Sequence, residues 1–182
     1  MNAIRNQAGT IRRANATDAQ ALAGIMREPM LELHGDNAAT GRRATDFSAL
    51  EELGDPQVDT LVADASEGLQ GFLQLRWGKR PPSAGWMLGS VELRRHHVRV
   101  RHRGAGVALR LLDGALGLAR ERSAVCVWLK VEKTAPQAIG FYRKHGFRIA
   151  GTSCFADGGQ SREHWVMHRV ITPVQQAHRR AG

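Results

Sequence analysis

Apolar residues in the first third of the chain recur at the spacing of short amphipathic helices. A short first strand is predicted at 10–13, and the polar side chains of 15–18 are suited to cap the helix that follows. Its apolar stripe runs from Ala21 to Met26, and Pro29 is expected to end or kink it. Asp46 is expected to cap a second helix, which ends at Gly54. Such a pair of short helices forms either one wall of a substrate cleft or a plain surface hairpin.

Strand patterns dominate the remainder of the chain. The predicted strands lie, in order, at 60–64, 71–77, 90–98, 125–131, 148–155 and 164–171. Two helices interrupt them, one that ends near Arg122 and one at 136–145, which Gly146 is expected to end in the left-handed conformation. Because the apolar strand at 125–131 follows a helix, we expect it to pair in parallel with a neighbour after a crossover.

The length of the chain, 182 residues, suits one domain. We expect a flexible tail at 1–9, a single domain at 10–171 and a basic tail at 172–182. Hydrophobic residues make up 42% and charged residues 24% of the chain, as in ordinary soluble globular proteins. Residues 1–10 lack the apolar core of a signal peptide, and no apolar run approaches the ~18 residues that cross a bilayer. A cytoplasmic location without a membrane partner is therefore predicted.

A formal net charge of +9, from 26 Lys and Arg against 17 Asp and Glu, gives the chain an attraction for anions. Nucleic acid, anionic lipid and a polyphosphate cofactor are all compatible with it. No compact basic run with interleaved aromatic residues occurs, which argues against a dedicated nucleic-acid-binding module. Cys126 and Cys154 belong to no metal-ligand pattern, and Cys126 lies in an apolar run typical of a buried thiol. No metal site is predicted.

One basic, glycine-rich stretch follows the predicted strand at 90–98 and opens a helix. It reads Arg103-Gly104-Ala105-Gly106-Val107-Ala108. Small residues let the backbone approach an anion closely, and a helix N-terminus adds favourable partial charge. The stretch is not a P-loop, and it is not a G-x-G-x-x-G turn, because Leu109 stands where the third glycine would. It is either a diphosphate site or an ordinary turn.

A second motif lies further along the chain and reads Ala138-Ile139-Gly140-Phe141-Tyr142-Arg143-Lys144-His145-Gly146-Phe147. In this order, the two stretches resemble the acetyl-CoA motif V-x-x-x-x-[QR]-x-x-G-x-[GA] and the motif A-I-x-F-Y-x-K-x-G-F of the GNAT superfamily of N-acetyltransferases. The resemblance implies an α/β (α+β) fold. Its central twisted sheet is mixed but mostly antiparallel, has about six or seven strands flanked by helices, and has strands 4 and 5 parallel and splayed.

The resemblance implies acetyl-CoA as co-substrate, bound in an opening between the strands at 90–98 and 125–131. Main-chain groups of Val98 and Val100 would pair with pantetheine, and an N–H near Val98 would polarise the thioester carbonyl. The diphosphate would lie on the amides of Arg103, Gly104, Ala105, Gly106, Val107 and Ala108. Ala135, which precedes the second motif, and Ala138, Tyr142 and Lys144 within it would add cofactor contacts.

Tyr142 is the chain's single tyrosine and the expected acid. The resemblance implies direct attack of a neutral amine on the thioester, without a covalent enzyme intermediate. Tyr142 would then protonate the thiolate of CoA, as a phenol with an ordinary pKa of ~10 can do. The alternative is a core aromatic that packs with Phe141 and Phe147.

The resemblance implies Glu92 as the base for the amine proton, directly or through water, because family members often have Glu at this place on the strand. The alternative is a strand carboxylate paired with Arg94 or another neighbour. His96 and His97 are further candidates, because their ordinary pKa of ~6.5 suits a base. Since adjacent strand residues alternate, at most one of the two histidines is expected to face the cleft.

Some features are similar to the bacterial spermidine/spermine acetyltransferase-like branch, among them Glu92-Leu93, Trp128-Leu129 and a chain end from Phe155 to Met167. At two places the sequence differs from the family pattern in a way that affects ligand binding. Ala135 stands where family members commonly have Asn, so cofactor affinity rests more on the glycine-rich turn. Arg162-Glu163-His164 replaces a common Gln-x-Asp, which argues against a polycationic substrate because such a substrate needs carboxylates.

The leading hypothesis is acetyl transfer from acetyl-CoA to a primary amine of a small molecule, protein or peptide. A non-catalytic acyl-CoA-binding sensor or partner module is the first alternative, which Ala135 permits. The basic surface allows a second, an RNA-bound acceptor such as aminoacyl-tRNA. The resemblance also admits a homodimer, and the sequence does not identify the acceptor.

Overall fold

The computed structural model describes residues 9–34, 48–82, 89–157 and 160–171 of the chain. The helices described in these ranges are α1 Ala19–His34, α2 Ala49–Gly54, α3 Val107–Glu121 and α4 Pro136–Lys144. The strands described there are β1 Thr10–Arg13, β2 Val58–Ala65, β3 Gly68–Arg76, β4 Ser90–Val98, β5 Cys126–Glu132, β6 Arg148–Asp157 and β7 Gln160–Val170.

The strands form one mixed sheet in the order β1-β2-β3-β4-β5-β7-β6. β4 and β5 pair in parallel, with Ser90, Val91 and Glu92 opposite Cys126, Val127 and Trp128. The pairs β1–β2, β2–β3, β5–β7 and β6–β7 are antiparallel. The predicted mixed, mostly antiparallel sheet with strands 4 and 5 parallel is confirmed.

The chain forms two compact units, and both β4 and α3 contribute residues to each. The first unit comprises Met1–Arg76 and Arg94–Ala115, and the second comprises Trp77–Leu93 and Leu116–Gly182. The parallel register of β4 and β5 belongs to the second unit. The predicted splay of these strands and the predicted single domain at 10–171 stay predictions.

In the first unit, the polar residues before α1 form the predicted cap. Asn15 accepts a hydrogen bond from the Thr17 N–H at 2.9 Å, and the Asp18 carboxylate accepts one from the Asn15 N–H at 2.8 Å. This capping box satisfies N–H groups that have no partner within the helix. The apolar stripe of α1 then packs into a core whose buried members are Leu22, Ile25, Ala49, Val62, Leu69 and Phe72.

In the second unit, β5 is the apolar strand that the sequence predicts. It lies between β4 and β7, and its residues from Cys126 to Leu129 are buried. A strand that is covered on both faces has a nearly continuous apolar run rather than an alternating one. Cys126 is the predicted buried thiol, and burial raises its pKa to about 11, which disfavours the reactive thiolate.

Several predicted element boundaries need correction. Pro29 does not end α1, which continues to His34, because a proline removes one helical hydrogen bond but keeps φ in the helical range. α2 is capped by Ser48, whose side chain accepts from the Glu51 N–H at 3.4 Å, and Asp46 lies outside the described residues. The last two strands extend to Asp157 and from Gln160, so the predicted loop at 156–161 is shorter. Most of the predicted tails, at 1–8 and 172–182, also lie outside the described residues.

Candidate active site

The glycine-rich stretch forms an exposed turn between β4 and α3 in the first unit. After β4, the chain makes one turn of 3-10 helix at Val100–His102. Gly104 and Gly106 then adopt φ values of +78° and +74°. A Cβ atom at either glycine would meet nothing within 4 Å. The left-handed backbone, and not a lack of space, is therefore what requires glycine at both positions.

The turn leads directly into the N-terminus of α3. The Gly106 carbonyl accepts the Arg110 N–H at 3.1 Å, which is the first hydrogen bond of the helix. The N–H groups from Val107 to Leu109 therefore have no acceptor within α3. Val107 is 1% exposed and Leu111 is fully buried, so this end of the helix is held firmly. Exposed small residues beside a fixed helix N-terminus fit a diphosphate.

Both main-chain groups of Val100 are engaged within the first unit. Its N–H donates to Oε2 of Glu28 at 3.3 Å, and its carbonyl accepts the Arg103 N–H at 3.1 Å. The Arg99 guanidinium pairs with the other oxygen of the Glu28 carboxylate. Pantetheine would have to displace Glu28 to pair with Val100 as the resemblance implies. Val98, the last residue of β4, is half-buried.

Glu92 lies on β4 in the second unit, with 8% of its surface exposed. Its Oε1 lies 3.9 Å from Nζ of Lys130 on β5. Lys130 is two residues beyond Trp128, the parallel partner of Glu92, and so lies on the same face of the sheet. Arg94 is directed to Glu52, at 2.8 Å. The alternative reading of Glu92, as a carboxylate paired with Arg94 or another neighbour, is therefore met by Lys130 and not by Arg94, and the role of Glu92 as base stays a prediction.

Tyr142 lies in the last turn of α4 and is 8% exposed. Its ring centroid lies 5.3 Å from that of Phe141 and 5.4 Å from that of Phe147, with both pairs edge-to-face. The packing that the sequence offers as an alternative is therefore present, and a proton-transfer role stays compatible with it. Burial raises the pKa of Tyr142 above its ordinary value, so its hydroxyl keeps its proton at neutral pH.

The end of α4 is fixed immediately after Tyr142. Gly146 adopts a φ of +82°, as predicted, and the Phe147 N–H donates to the Tyr142 carbonyl at 3.0 Å. This is the six-residue hydrogen bond of a Schellman cap. Nη1 of Arg169 also donates to the His145 carbonyl, at 2.9 Å. These bonds set the position of the Tyr142 ring through its own backbone.

The other predicted cofactor residues of α4 divide between two faces. Ala135, Ala138 and Tyr142 follow one another at spacings of three and four residues and share one face of the helix. Ala135 is the N-cap and has no side-chain capping bond, as expected for a residue without a polar side chain. Lys144 lies on another face and is exposed. Their contacts with a cofactor stay predictions.

His96 and His97 are directed to opposite sides of β4, as alternation predicts. His96 bonds to the backbone of Ala108 at the start of α3, whereas His97 stacks on Phe72 with ring centroids 5.4 Å apart. Burial lowers the pKa of each histidine to about 4. Both are neutral and weakly basic near pH 7, which disfavours either as the catalytic base.

The lowered pKa values of these two histidines predict a loss of stability in mild acid. The unfolded chain keeps an ordinary histidine pKa of ~6.5, whereas the folded values are about 4. The contribution of the two neutral histidines to the free energy of unfolding is therefore fully present above pH ~6.5. It falls as the pH decreases from there towards 4, by at most ~1.4 kcal/mol per pH unit for each histidine. Urea unfolding of wild type and His97→Phe over this range measures it. The variant should lose less stability, and an identical pH dependence would contradict the expectation.

One partner of a predicted residue in each unit was not predicted in that role: Lys130 beside Glu92 in the second unit, and Glu28 beside Val100 in the first. Lys130 interrupts the apolar run of β5, which was the available signal for a functional position on that strand. Glu28 lies far from Val100 along the chain, and no local pattern joins them. Among the described residues, no group of three or more His, Cys, Asp or Glu side chains could hold a metal ion. None of the helices within the described ranges combines the length and hydropathy needed to cross a membrane.

The sequence is similar to those of known N-acetyltransferases. The sequence model of the Acetyltransferase (GNAT) family matches residues 27–147. An uncharacterised N-acetyltransferase of Mycobacterium tuberculosis is 31% identical over 121 residues, which cover 66% of this chain and 72% of that protein. The matched family region includes both the glycine-rich turn and α4.

Solved structures show the same fold. The crystal structure of nourseothricin acetyltransferase matches this chain with 31% sequence identity and a TM-score of 0.56. The aligned region covers 65% of this chain and 68% of that one. The PaiA N-acetyltransferase of Thermoplasma acidophilum, in complex with coenzyme A, has a TM-score of 0.67 and covers 88% of this chain and 98% of its own. At 18% identity, the second likeness is one of fold alone.

Proposed function

The chain belongs to the Acetyltransferase (GNAT) family, and from that membership we propose that it transfers an acetyl group from acetyl-CoA to a primary amine of a small molecule, protein or peptide. The observation that carries the proposal is the turn at 103–106, where Gly104 and Gly106 adopt left-handed φ values immediately before α3. The relatives named above are acetyltransferases, which supports the same class of reaction.

The residues of the turn suit the diphosphate of acetyl-CoA. Its amides and the first N–H groups of α3 would donate to the phosphate oxygens. Arg103 is exposed beside them, and Arg110 is held by Gln70, whose Oε1 accepts from Nη2 at 3.0 Å. Acetyl-CoA supplies an activated acetyl thioester, so the chain needs no nucleophile of its own. The predicted contacts of Val98, Ala135, Ala138 and Lys144 belong to the same proposal.

Glu92 would take the proton that the acceptor amine loses. The amine nitrogen attacks the thioester carbonyl, its bond to that carbon forms, and the carbon–sulfur bond breaks. Before this attack, the ammonium form of the acceptor gives one proton to the Glu92 carboxylate, directly or through water, and so becomes the neutral amine. The second proton that nitrogen loses as the amide forms replaces the one that Tyr142 gives to sulfur. Nζ of Lys130 lies 3.9 Å from Oε1 of Glu92. This ion pair can orient the carboxylate and leave it unprotonated, so that it can accept the proton of the amine.

Tyr142 would return a proton to the departing sulfur. A CoA thiolate that forms near this buried side chain is itself desolvated, and its basicity rises together with the pKa of the phenol. The two shifts act in the same direction, so proton transfer from oxygen to sulfur stays feasible although burial raises the pKa of Tyr142. Products are the amide and free CoA thiol.

The proposal identifies the acceptor by its chemical class, a primary amine, and does not name one compound. A small-molecule amine is favoured by the likeness to nourseothricin acetyltransferase, and a protein or peptide amine stays within the proposal. The closer similarity to the spermidine/spermine branch, the cytoplasmic location and the homodimer stay predictions. An acyl-CoA sensor without turnover and an RNA-bound acceptor are the competing hypotheses.

A thiol-release assay with acetyl-CoA and a broad panel of amines tests the proposal. We expect release of free CoA that depends on the amine, with N-acetylated product identified by mass spectrometry. Binding of acetyl-CoA by calorimetry without transfer to any member of the panel would favour the sensor. Salt-sensitive binding of aminoacyl-tRNA, with transfer to it alone, would favour the RNA-bound acceptor.

Glu92→Gln should reduce kcat/KM by about 100-fold near neutral pH, because the amide cannot accept the amine proton. The loss should shrink as the pH rises towards the pKa of the amine, since the neutral form of the substrate then forms without help. The measurement is kcat/KM against pH for one active amine. Glu163→Gln is a matched control, because Glu163 also faces a lysine, at 3.4 Å from Lys133, but its side chain is 61% exposed. A constant ratio of variant to wild type at every pH would exclude Glu92 as the base.

A further inference from the structure

A cavity of about 340 Å³ lies at the start of β4, within the second unit. Its lining residues come from three segments: the residues that follow β3, the residues at the start of β4, and the residues that follow α3. They are Trp77, Gly78, Lys79, Arg80, Gly89, Ser90, Arg122, Ser123 and Ala124. None of them belongs to the predicted cofactor or catalytic set. The volume falls in the range of sites for small ligands.

The walls of this cavity are held by hydrogen bonds to the core of the unit. The Trp128 indole N–H donates to the Lys79 carbonyl at 3.3 Å. The Ala124 N–H donates to the Ala119 carbonyl at 2.8 Å, and the Val125 N–H donates to the Gly89 carbonyl at 3.0 Å. The cavity is thus largely formed before any ligand arrives, which lowers the entropic cost of binding.

The charge of the lining is positive. Lys79, Arg80 and Arg122 contribute three cationic side chains, and the lining residues that the structure describes include no carboxylate. The C-terminus of α3 lies beside Arg122 and carries roughly half an elementary negative charge, which the three cations outweigh. The Arg122 guanidinium lies over the Trp77 ring, with its carbon 5.0 Å from the ring centroid. This cation–π contact keeps the guanidinium beside the cavity, and an arginine can donate two parallel hydrogen bonds to an oxyanion.

Ser90 provides an independent observation. It is 8% exposed, and its Oγ is a buried atom for which the described residues provide no hydrogen-bond partner. A buried hydroxyl without a partner is destabilising and uncommon in folded proteins. Since Ser90 lines the cavity, rotation of its side chain about the Cα–Cβ bond would present the hydroxyl to an acceptor oxygen of a ligand there, which would satisfy it.

We propose that this cavity binds a small phosphorylated molecule, whose phosphate oxygens accept hydrogen bonds from Ser90 and Arg122. Three cations exceed what one singly charged carboxylate would neutralise, whereas a phosphate monoester brings about two negative charges. Serine hydroxyl, lysine ammonium and arginine guanidinium are all donors that phosphate oxygens accept. The inference does not depend on acetyl transfer, because it concerns a different set of residues and an equilibrium binding event.

The test is calorimetric titration and thermal unfolding of the full chain with inorganic phosphate and with ribose 5-phosphate, at ionic strength matched with sodium chloride. We expect Arg122→Gln to weaken phosphate binding about tenfold, because a charged donor is lost. Ser90→Ala should weaken binding severalfold, while its Tm without phosphate equals or exceeds that of wild type because a buried unsatisfied hydroxyl is removed. Matched controls are Arg148→Gln and Ser153→Ala on β6, which make the same changes outside the cavity lining.

The comparison between variants, rather than total binding, decides the inference. Phosphate bound at the glycine-rich turn contributes equally to wild type, to the two cavity variants and to both controls, so it cancels. Equal phosphate affinity in wild type, Ser90→Ala and Arg122→Gln would overturn the proposal, as would a Tm shift that sodium chloride alone reproduces. Loss of acetyl transfer with these differences intact would overturn only the proposed enzymatic function.

Discussion

Tyr142→Phe should lower kcat for acetyl transfer by about 10²- to 10⁴-fold, the usual contribution of a general acid, with little change in the affinity for acetyl-CoA. The substitution removes one oxygen atom and keeps the ring. The edge-to-face contacts with Phe141 and Phe147 therefore persist, and the protein should fold as wild type does. Steady-state kinetics with the best amine of the panel, calorimetry with acetyl-CoA and a thermal melt provide the three measurements.

Phe141→Leu separates proton transfer from packing. Phe141 contacts the same tyrosine ring, so its truncation loosens the packing of α4 without removing the hydroxyl. We expect a lower Tm and a kcat within a few-fold of wild type, which is the opposite pattern to Tyr142→Phe. If Tyr142→Phe turns over at the wild-type rate, the hydroxyl is not the acid and Tyr142 is a core residue alone.

The strands that carry the site follow closely from local sequence. β4 was predicted at 90–98 and occupies Ser90–Val98, because polar and apolar residues alternate from Ser90 to Leu93 and the glycine-rich turn follows Val98 closely. β5 was predicted at 125–131 and occupies Cys126–Glu132, because its residues up to Leu129 form an unbroken apolar run, as in strands covered on both faces. The cap at Gly146 was predicted since the left-handed conformation there favours glycine. Each of these features depends on interactions among near neighbours.

The ion pairs of the site could not be predicted in the same way. Glu28 joins Arg99 and Val100 across more than 70 positions, since its bond to the Val100 N–H has a sequence separation of 72 residues. Lys130 reaches Glu92 only because the parallel register places Trp128 opposite Glu92. Long charged side chains have many partners of suitable sign, and tertiary packing decides among them. Sequence periodicity contains no information on that choice.

Gly106→Val should raise the Kd for acetyl-CoA by about 10- to 100-fold, because a β-branched residue in the left-handed region costs about 1–3 kcal/mol. The φ of Gly106 is +74°, and its carbonyl accepts the first hydrogen bond of α3. A valine would move this residue to another region of φ and ψ, and the N–H groups that precede Arg110 would no longer converge on the diphosphate. Calorimetry with acetyl-CoA and with CoA measures the effect.

Gly117→Ala is the matched control for this prediction, since it also adds a side chain to a glycine whose Cβ position is open. Gly117 lies within α3, where φ is helical, so alanine should stabilise the protein by about 0.5–1 kcal/mol and leave the Kd unchanged. The two glycines thus differ in backbone conformation and position but not in available space. Unchanged affinity in Gly106→Val would mean that CoA binding does not depend on the backbone conformation of this turn. The proposed diphosphate site would then be wrong, because the left-handed glycine is the observation that supports it.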